Sequence, residues 1–461
     1  MAANVYTLEI SNPTMRRAVR GWMLLGLAAL VGAGVFSVLL ILARTPVVQE
    51  LIPLVDFFRV ALVVHVNLSV LIWLLSMAGV LWSLASGVER PAWDRVSISL
   101  AVAGTAIVVV SPFVGAADPL MNNYVPLLRH PVFYTGMILF AAGIASHLVR
   151  SIASVGSPQA RLDGARSLRF GIALGAVITA VAIAALVVSW AGMPEDMAGE
   201  VYYEFLFWGN GHVLQFTHTM MMMVAWIVLV EGSGCRFELT PRLTLTFLII
   251  LALPVITVPF LYLAHDIVSA GHRLAFTELM KYGGLSCLPI GLAVLVSVLK
   301  GRQPGSRLSA EAGYLHSALL ASLTLFAVGG FLGFLISGLD IVIPAHYHGS
   351  TVGVTIAFMG LCYYLLPRLG FGPLPARVAF WQPLLYGGGQ LLHISGLAWT
   401  GGYGVQRKAA GLAQGVDRVG EIAGMGLMGL GGLISVIGGL LFLVVCFLSI
   451  RGRDRGQPCR S

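Results

Sequence analysis

The sequence predicts an all-α membrane protein, built as a bundle of twelve transmembrane helices. Three observations support this: a very apolar composition, twelve long apolar runs, and basic residues concentrated on one side of the bundle. The chain has 461 residues, of which 57% are hydrophobic and 10% charged, and its mean hydropathy is +0.88. Since soluble domains carry about 25% charged residues, this composition excludes a soluble enzyme, a nucleic-acid-binding protein and a disordered chain.

Twelve apolar runs, numbered run 1 to run 12 in chain order, have roughly the 20-residue length that a transmembrane helix needs. They cover residues 19–43, 57–86, 97–116, 131–149, 169–190, 204–231, 243–265, 275–299, 314–338, 346–367, 378–401 and 420–450. Most are longer than the strands of a membrane barrel and lack strict alternation, so helices are favoured. Arg16, Arg17 and Arg20 precede run 1 and no clear cleavage site follows it, which predicts a retained helix rather than a signal peptide.

The positions of the basic residues agree with twelve spans. An even number of spans places both termini on one side, and 20 of the 28 lysines and arginines fall there, against eight on the other side. The positive-inside rule then predicts cytoplasmic termini, and we expect a multi-pass protein of the bacterial inner (cytoplasmic) membrane. No linker separates domains, so residues 1–461 are expected to form a single membrane domain. The cytoplasmic loops account for the basic balance, and no nucleic-acid partner is expected.

Six of the eleven histidines fall near the outer ends of their predicted helices. They are His65 in run 2, His212 in run 6, His265 at the end of run 7, His346 and His348 at the start of run 10, and His393 in run 11. Random placement would spread them over both halves of the membrane, and an intramembrane ionisable residue is a functional candidate by default. This layer therefore predicts a buried metal site.

His346 and His348 give the sharpest geometry in the layer. Two residues apart on a helix, they are separated by about 200° and point to opposite faces. One helix can therefore ligate two separate metal centres. Neutral imidazole is a common ligand for heme iron, copper, zinc and non-heme iron.

Four segments carry a more specific signal. They are HVNL at His65, FWGNGHVLQF around His212, AHYHGSTVGVTIAFMGLCYYLLP around His346, and GLAWTGGYGVQRKAAG after run 11. In order and spacing they resemble helices 2, 6 and 10 and the helix 11–12 loop of the catalytic subunit (subunit I) of the heme-copper oxidase superfamily. The form of HVNL is closest to the nitric oxide reductase branch. The resemblance covers nearly the whole chain.

The resemblance implies two hemes, one low-spin and one high-spin with heme b the expected type, and a non-heme metal. The implied ligands are His65 and His348 for the low-spin heme, His346 for the high-spin heme, and His212 for the non-heme metal, with Arg407 and Lys408 beside the heme propionates. A basic pair on the outer side suits two carboxylates there.

The non-heme metal site departs from the family pattern in its ligands. Where the family has two adjacent histidines at the end of helix 7, this chain has His265 and Asp266. Together with His212 they form a set of two imidazoles and one carboxylate, which is typical of non-heme iron, whereas three imidazoles suit copper. His272, seven residues after His265, is a rival ligand.

A second departure concerns a tyrosine. Many oxygen-reducing members carry one four residues after the helix 6 histidine, where this chain has Phe216. Tyr262 on run 7 is a weak candidate to replace it because it lies only three residues before His265.

These departures favour reduction of nitric oxide, 2NO + 2e⁻ + 2H⁺ → N₂O + H₂O, which needs no tyrosine radical. His212, His265, Asp266 and His346 are then the expected catalytic residues. Oxygen reduction by a terminal oxidase, with copper in place of iron, is the alternative, and a heme-free transporter is a further one. The chain has no CxxCH motif for a covalent heme, so we expect a separate electron-donor subunit, a cytochrome c or a cupredoxin. Protons are expected from the outer side, with Glu204 as a relay, and without strong pumping.

Overall fold

The computed structural model describes residues 5–44, 57–153, 162–302, 309–336, 341–401 and 419–452. These residues form long helices joined by short connections. The first six are α1 (Pro13–Arg44), α2 (Phe57–Ala85), α3 (Pro91–Val110), α4 (Pro131–Ile152), α5 (Gly164–Ala191) and α6 (Gly199–Gly232). The second six are α7 (Pro241–Ala264), α8 (Ala270–Leu299), α9 (Ala310–Phe334), α10 (Val342–Arg368), α11 (Ala376–Gly401) and α12 (Val419–Arg451). The predicted all-α bundle of twelve helices is thus confirmed within the described residues.

Eleven of these helices are long and apolar enough to cross a membrane. The remaining one, α11, has 26 residues and matches run 11, but it carries more polar side chains. One of them, Gln382, is fully buried, where it accepts a hydrogen bond from Tyr363 (2.8 Å) and donates one to the carbonyl of Gly438 (3.1 Å). Because the amide is satisfied inside the protein, the helix keeps a polar group that lipid would not tolerate.

Several helices begin earlier than the apolar runs because polar capping residues extend them. Asp163 accepts a hydrogen bond from the backbone N–H of Arg166 at the start of α5. Ser269 accepts one from the N–H of His272 at the start of α8. Such caps satisfy backbone donors that the first turn leaves free. The second cap matters for function, since it places His272 inside α8 rather than in the loop before it.

Two local features were not predicted. The middle of α2 contains a six-residue π-helical turn, Asn67–Ile72, which starts two residues after His65. Short π-helical turns inside α-helices are frequent at functional sites. Between α3 and α4 lies a small antiparallel hairpin, β1 (Pro119–Leu120) and β2 (Leu127–Leu128), in which Pro119 pairs with Leu128 and Leu120 with Leu127.

The chain divides into two compact units, described separately here. Unit 1 comprises Met1–Val224 and Leu239–Ile290, and unit 2 comprises Ala225–Glu238 and Gly291–Ser461. The expectation of one membrane domain over residues 1–461 stays a prediction.

In unit 1, α3 and α4 pack closely and share a buried ion pair. A Cβ on Gly143 would lie 2.7 Å from the backbone of Ser97 and Ala101, so the two helices meet without a side chain between them. Near the end predicted to be cytoplasmic, Arg150 binds both carboxylate oxygens of Asp94, at 2.9 and 3.1 Å, and both side chains are almost fully buried.

In unit 2, the glycine-rich α12 packs against α11. A Cβ on Gly431 would lie 2.8 Å from the backbone of Leu392, next to His393. Small residues therefore bring the α12 backbone within reach of a histidine of the candidate site.

Candidate functional site

His65 is the heme-ligand candidate of α2 in unit 1. Its Nδ1 lies 2.9 Å from the carbonyl oxygen of Ala33 on α1 and 3.0 Å from the hydroxyl of Ser37. A carbonyl oxygen can only accept, so Nδ1 carries the proton and Nε2 keeps its lone pair. This arrangement fixes the tautomer and the ring orientation that a metal needs.

His346 in unit 2 has the same arrangement. Its Nδ1 lies 2.8 Å from the carbonyl oxygen of Gly329 on α9, so Nε2 is again the free lone pair. A Cβ on Gly333 would lie 2.7 Å from Nδ1 of His346, and therefore only glycine leaves room for this ring.

His348, two residues further along α10, faces a different neighbour. Its ring packs edge-on against His393 of α11, with 5.0 Å between the ring centroids. His393 in turn has Nδ1 2.9 Å from the carbonyl oxygen of Met428 on α12. The pair on α10 thus points to α9 with one imidazole and to α11 with the other, as its spacing requires.

His212, the candidate ligand of the non-heme metal, lies on α6 in unit 1. Its Nδ1 is 2.7 Å from the carbonyl oxygen of Trp208 and therefore carries the proton. The hydroxyl of Tyr124 lies 2.9 Å from Nδ1 and 3.0 Å from Nε2. The indole of Trp208 covers the imidazole, with 4.8 Å between centroids, and donates its N–H to the carbonyl of Arg273 (3.0 Å).

Tyr124 is the functional candidate that sequence reasoning missed. It stands at the tip of the β1–β2 hairpin, where Asn122 Oδ1 accepts from the N–H groups of Tyr124 (2.9 Å) and Val125 (2.7 Å). Such a side-chain turn is typical of asparagine. Burial, and then the carboxylate of Glu204, raise the pKa of Tyr124, so the phenol is protonated at neutral pH. Pro119 and the two asparagines between apolar pairs signal the turn in the sequence, but nothing local signals its contact with α6.

The hairpin is attached to two helices of unit 1. The side-chain amide of Asn67, in the π-helical turn of α2, donates to the carbonyl of Pro126 (2.7 Å). The carboxylate of Glu204 on α6 accepts from the backbone N–H (3.1 Å) and the side-chain amide of Asn123. Asn67 belongs to the HVNL segment, so the same helix turn holds the heme-ligand candidate and the hairpin.

The other candidate ligands of the non-heme metal differ in their burial. Asp266 is exposed and accepts from Ser269 with its backbone carbonyl at a turn (2.9 Å). His272 is fully buried, and neither of its ring nitrogens has a hydrogen-bond partner among the described residues. A buried imidazole without a hydrogen-bond partner needs an explanation, and a bound metal ion would provide one. Of the two alternatives His272 is the buried one, and which of them binds the metal stays a prediction.

Three imidazoles of unit 1 lie on or against the N-terminal part of α8. The rings of His212 and His272 both pack on Phe276, with centroids 6.1 and 4.8 Å from it. His265 follows the end of α7 and packs on Gly271, whose Cβ would lie 2.9 Å from its Nδ1. Within the described residues, no three histidine, cysteine or acidic side chains already stand close enough to hold a metal ion. Imidazole nitrogens are suitable ligands for a metal ion, and the two ring nitrogens of His272 without hydrogen-bond partners support such a site.

The two residues considered for the missing tyrosine do not supply a free phenol. Phe216 is buried, as its position four residues after His212 requires. The hydroxyl of Tyr262 lies 3.0 Å from the carbonyl oxygen of Ala185, to which it donates, and 2.8 Å from the hydroxyl of Ser189. It is therefore engaged with α5. Arg407 and Lys408, the predicted propionate partners, lie outside the described residues.

Comparison with known proteins gives three kinds of similarity. The family model described as cytochrome c and quinol oxidase polypeptide I matches residues 17–441. The uncharacterized protein RP382 of Rickettsia prowazekii (strain Madrid E) is 30% identical, over 92% of this chain and 94% of its own length. An uncharacterized protein of Aquifex aeolicus (strain VF5) is 27% identical, over 76% of this chain and 85% of its own.

A solved structure shares the fold. The cryo-EM structure of a heme-copper terminal oxidase dimer matches with a TM-score of 0.74 and 17% sequence identity, covering 98% of this chain and 86% of that one.

Proposed function

Because the chain belongs to the cytochrome c and quinol oxidase polypeptide I family, the catalytic subunits of the heme-copper oxidase superfamily, we propose that it is a membrane-bound nitric oxide reductase. The family implies an oxidoreductase that binds hemes and a further metal. The proposal adds the substrate, two molecules of NO, and the product N₂O, with electrons from a separate cytochrome c or cupredoxin partner.

The observation that carries this proposal is the absence of the family's tyrosine from its usual place. Phe216 fills that position, and the hydroxyl of Tyr262 is bonded to α5. Breaking the O–O bond needs a further electron and proton that such a tyrosine provides, whereas joining two NO molecules needs only two electrons and two protons. Holding two small molecules together is largely catalysis by proximity.

The proposed heme ligands are prepared by hydrogen bonds within each unit. His65 and His346 each donate a hydrogen bond from Nδ1 to a backbone carbonyl, which leaves the lone pair of Nε2 for iron. His348 is the second ligand proposed for the low-spin heme. Hemes held by these residues would supply the electron transfer and a site for NO binding. The indole of Trp208 packs against one side of His212.

For the non-heme metal we propose His212, His265 and His272 as ligands. Asp266, the carboxylate that the sequence favoured, is exposed. A set of imidazoles does not select iron as a carboxylate would, and copper becomes an equal candidate. This favours oxygen reduction as a second candidate function, as does the hydroxyl of Tyr124 beside His212.

The experiment that separates the two functions measures metals and gas consumption on the same sample. Three irons, two hemes and no copper per polypeptide, with NO consumed and N₂O formed, are expected of the proposed reductase. Two irons, two hemes and one copper, with O₂ consumed, would establish the oxidase. Folded protein without heme would overturn both.

The ligand assignment is tested by two matched variants. His272→Ala removes an imidazole with free nitrogens, and we expect it to lose the non-heme metal while retaining both hemes. Asp266→Ala removes an exposed carboxylate, and we expect wild-type metal content. The opposite pattern would restore the carboxylate site that the sequence predicted.

A further inference from the structure

The hydroxyl of Tyr124 lies 2.9 Å from Nδ1 of His212 and 3.0 Å from Nε2, the nitrogen proposed to bind the metal. Nδ1 of His212 carries a proton that goes to the carbonyl of Trp208, so it cannot accept. The lone pair of Nε2, 3.0 Å away, is what remains for the phenol proton.

A metal on His212 takes that lone pair. The phenol then loses this acceptor, and a partly buried donor without a partner is unfavourable. The hydroxyl cannot simply swing away, because the bonds from Asn67 and Glu204 hold the hairpin tip in place.

Helix α6 is itself shaped to receive the tyrosine. A Cβ on Gly211, next to His212, would lie 2.8 Å from Cδ2 of Tyr124 and closer still to Cγ and Cδ1. The absence of a side chain at Gly211 lets the aromatic ring lie directly on the helix. The hydrogen bonds from α2 and α6, together with this recess, fix the position of the Tyr124 ring on α6.

We propose that Tyr124 donates a hydrogen bond to the small molecule that the non-heme metal binds at His212. The phenol thereby enters the site from the segment between α3 and α4, and neither α6 nor α7 provides it. The inference rests on the proposed function only in requiring a metal on His212, and it holds for either substrate gas.

The test uses azide as the probe ligand on the purified holoenzyme, observed by infrared spectroscopy in H₂O and D₂O. The azide band of the non-heme metal is identified by its loss in His212→Ala. In the wild type we expect this band to shift in D₂O because a hydroxyl donates to the azide. In Tyr124→Phe we expect the band to move and its D₂O shift to vanish.

Two further variants keep the result interpretable. Tyr203→Phe removes another outer-side hydroxyl, which bonds Tyr134 at 3.1 Å, and should leave the azide band and its isotope shift unchanged. Asn122→Ala keeps the phenol but loosens the turn that aims it, and should weaken the isotope shift with metal still bound.

The outcomes distinguish the two proposals. An isotope shift that survives in Tyr124→Phe, with normal metal content, would overturn the role of Tyr124 and leave the proposed function intact. A wild-type protein with hemes but no further metal would overturn the proposed metal site and, with it, this inference.

Discussion

Replacing Gly211 by alanine tests the packing of the hairpin on α6. The added Cβ would lie 2.8 Å from Cδ2 of Tyr124, whereas carbon atoms pack best at about 3.5–4.0 Å. The ring must therefore move by about 1 Å or more, because the α6 backbone cannot yield. Overpacking of this kind costs about 1–3 kcal/mol, and the movement also breaks the 3.0 Å contact between the Tyr124 hydroxyl and Nε2 of His212.

The assay is thermal unfolding in detergent, combined with hydrogen–deuterium exchange of the hairpin peptides. Gly211→Ala should lower Tm and speed exchange in residues 119–128. Gly34→Ala on α1 is the control, since a Cβ there meets nothing within 4 Å. In a Tyr124→Ala background the clash is gone, and Gly211→Ala should be neutral or stabilising, as alanine favours helix by about 1 kcal/mol over glycine. Equal destabilisation in both backgrounds would refute the reasoning.

Two further substitutions test packing and charge elsewhere in the chain. Asp94→Asn leaves its buried arginine partner without a counter-charge and should destabilise the protein by about 3–5 kcal/mol. The control, Asp118→Asn, lies in an exposed ion pair and should leave the unfolding midpoint almost unchanged. Similar midpoints for the two variants would contradict this prediction. Gly333→Ala places a Cβ 2.7 Å from Nδ1 of His346 and should lower the heme content of the purified protein. Gly330→Ala on the same helix places its Cβ in open space and should retain the wild-type heme content. The pyridine hemochrome spectrum measures the heme content of both variants.

Local sequence properties were sufficient to predict the helices. Apolar length fixes which segments span a bilayer, because lipid leaves backbone groups no partner outside the helix. Likewise, the spacing of His346 and His348 alone sends their rings to different neighbours, α9 and α11. Polar caps shifted helix starts by a few residues, and the shift at α8 moved His272 from a loop into a helix.

The exposure of the candidate ligands after α7 could not be predicted from the local sequence. His265 and Asp266 stand where the family has its histidine pair, so the sequence favoured the carboxylate. In the structure Asp266 is exposed, whereas His272 follows the cap at Ser269 and packs on Phe276. Exposure depends on what packs against a residue, and no pattern in this segment alone encodes it.

By itself the sequence determined where the long apolar helices run and which histidines they carry, because apolar length, helical period and residue chemistry are local. Only the tertiary structure decided that Tyr124 meets His212, 88 positions later in the chain. That contact arises from a hairpin held by Asn67 and Glu204 and from the recess at Gly211. It depends on three distant segments folding together, and each segment alone reads as an ordinary loop or helix.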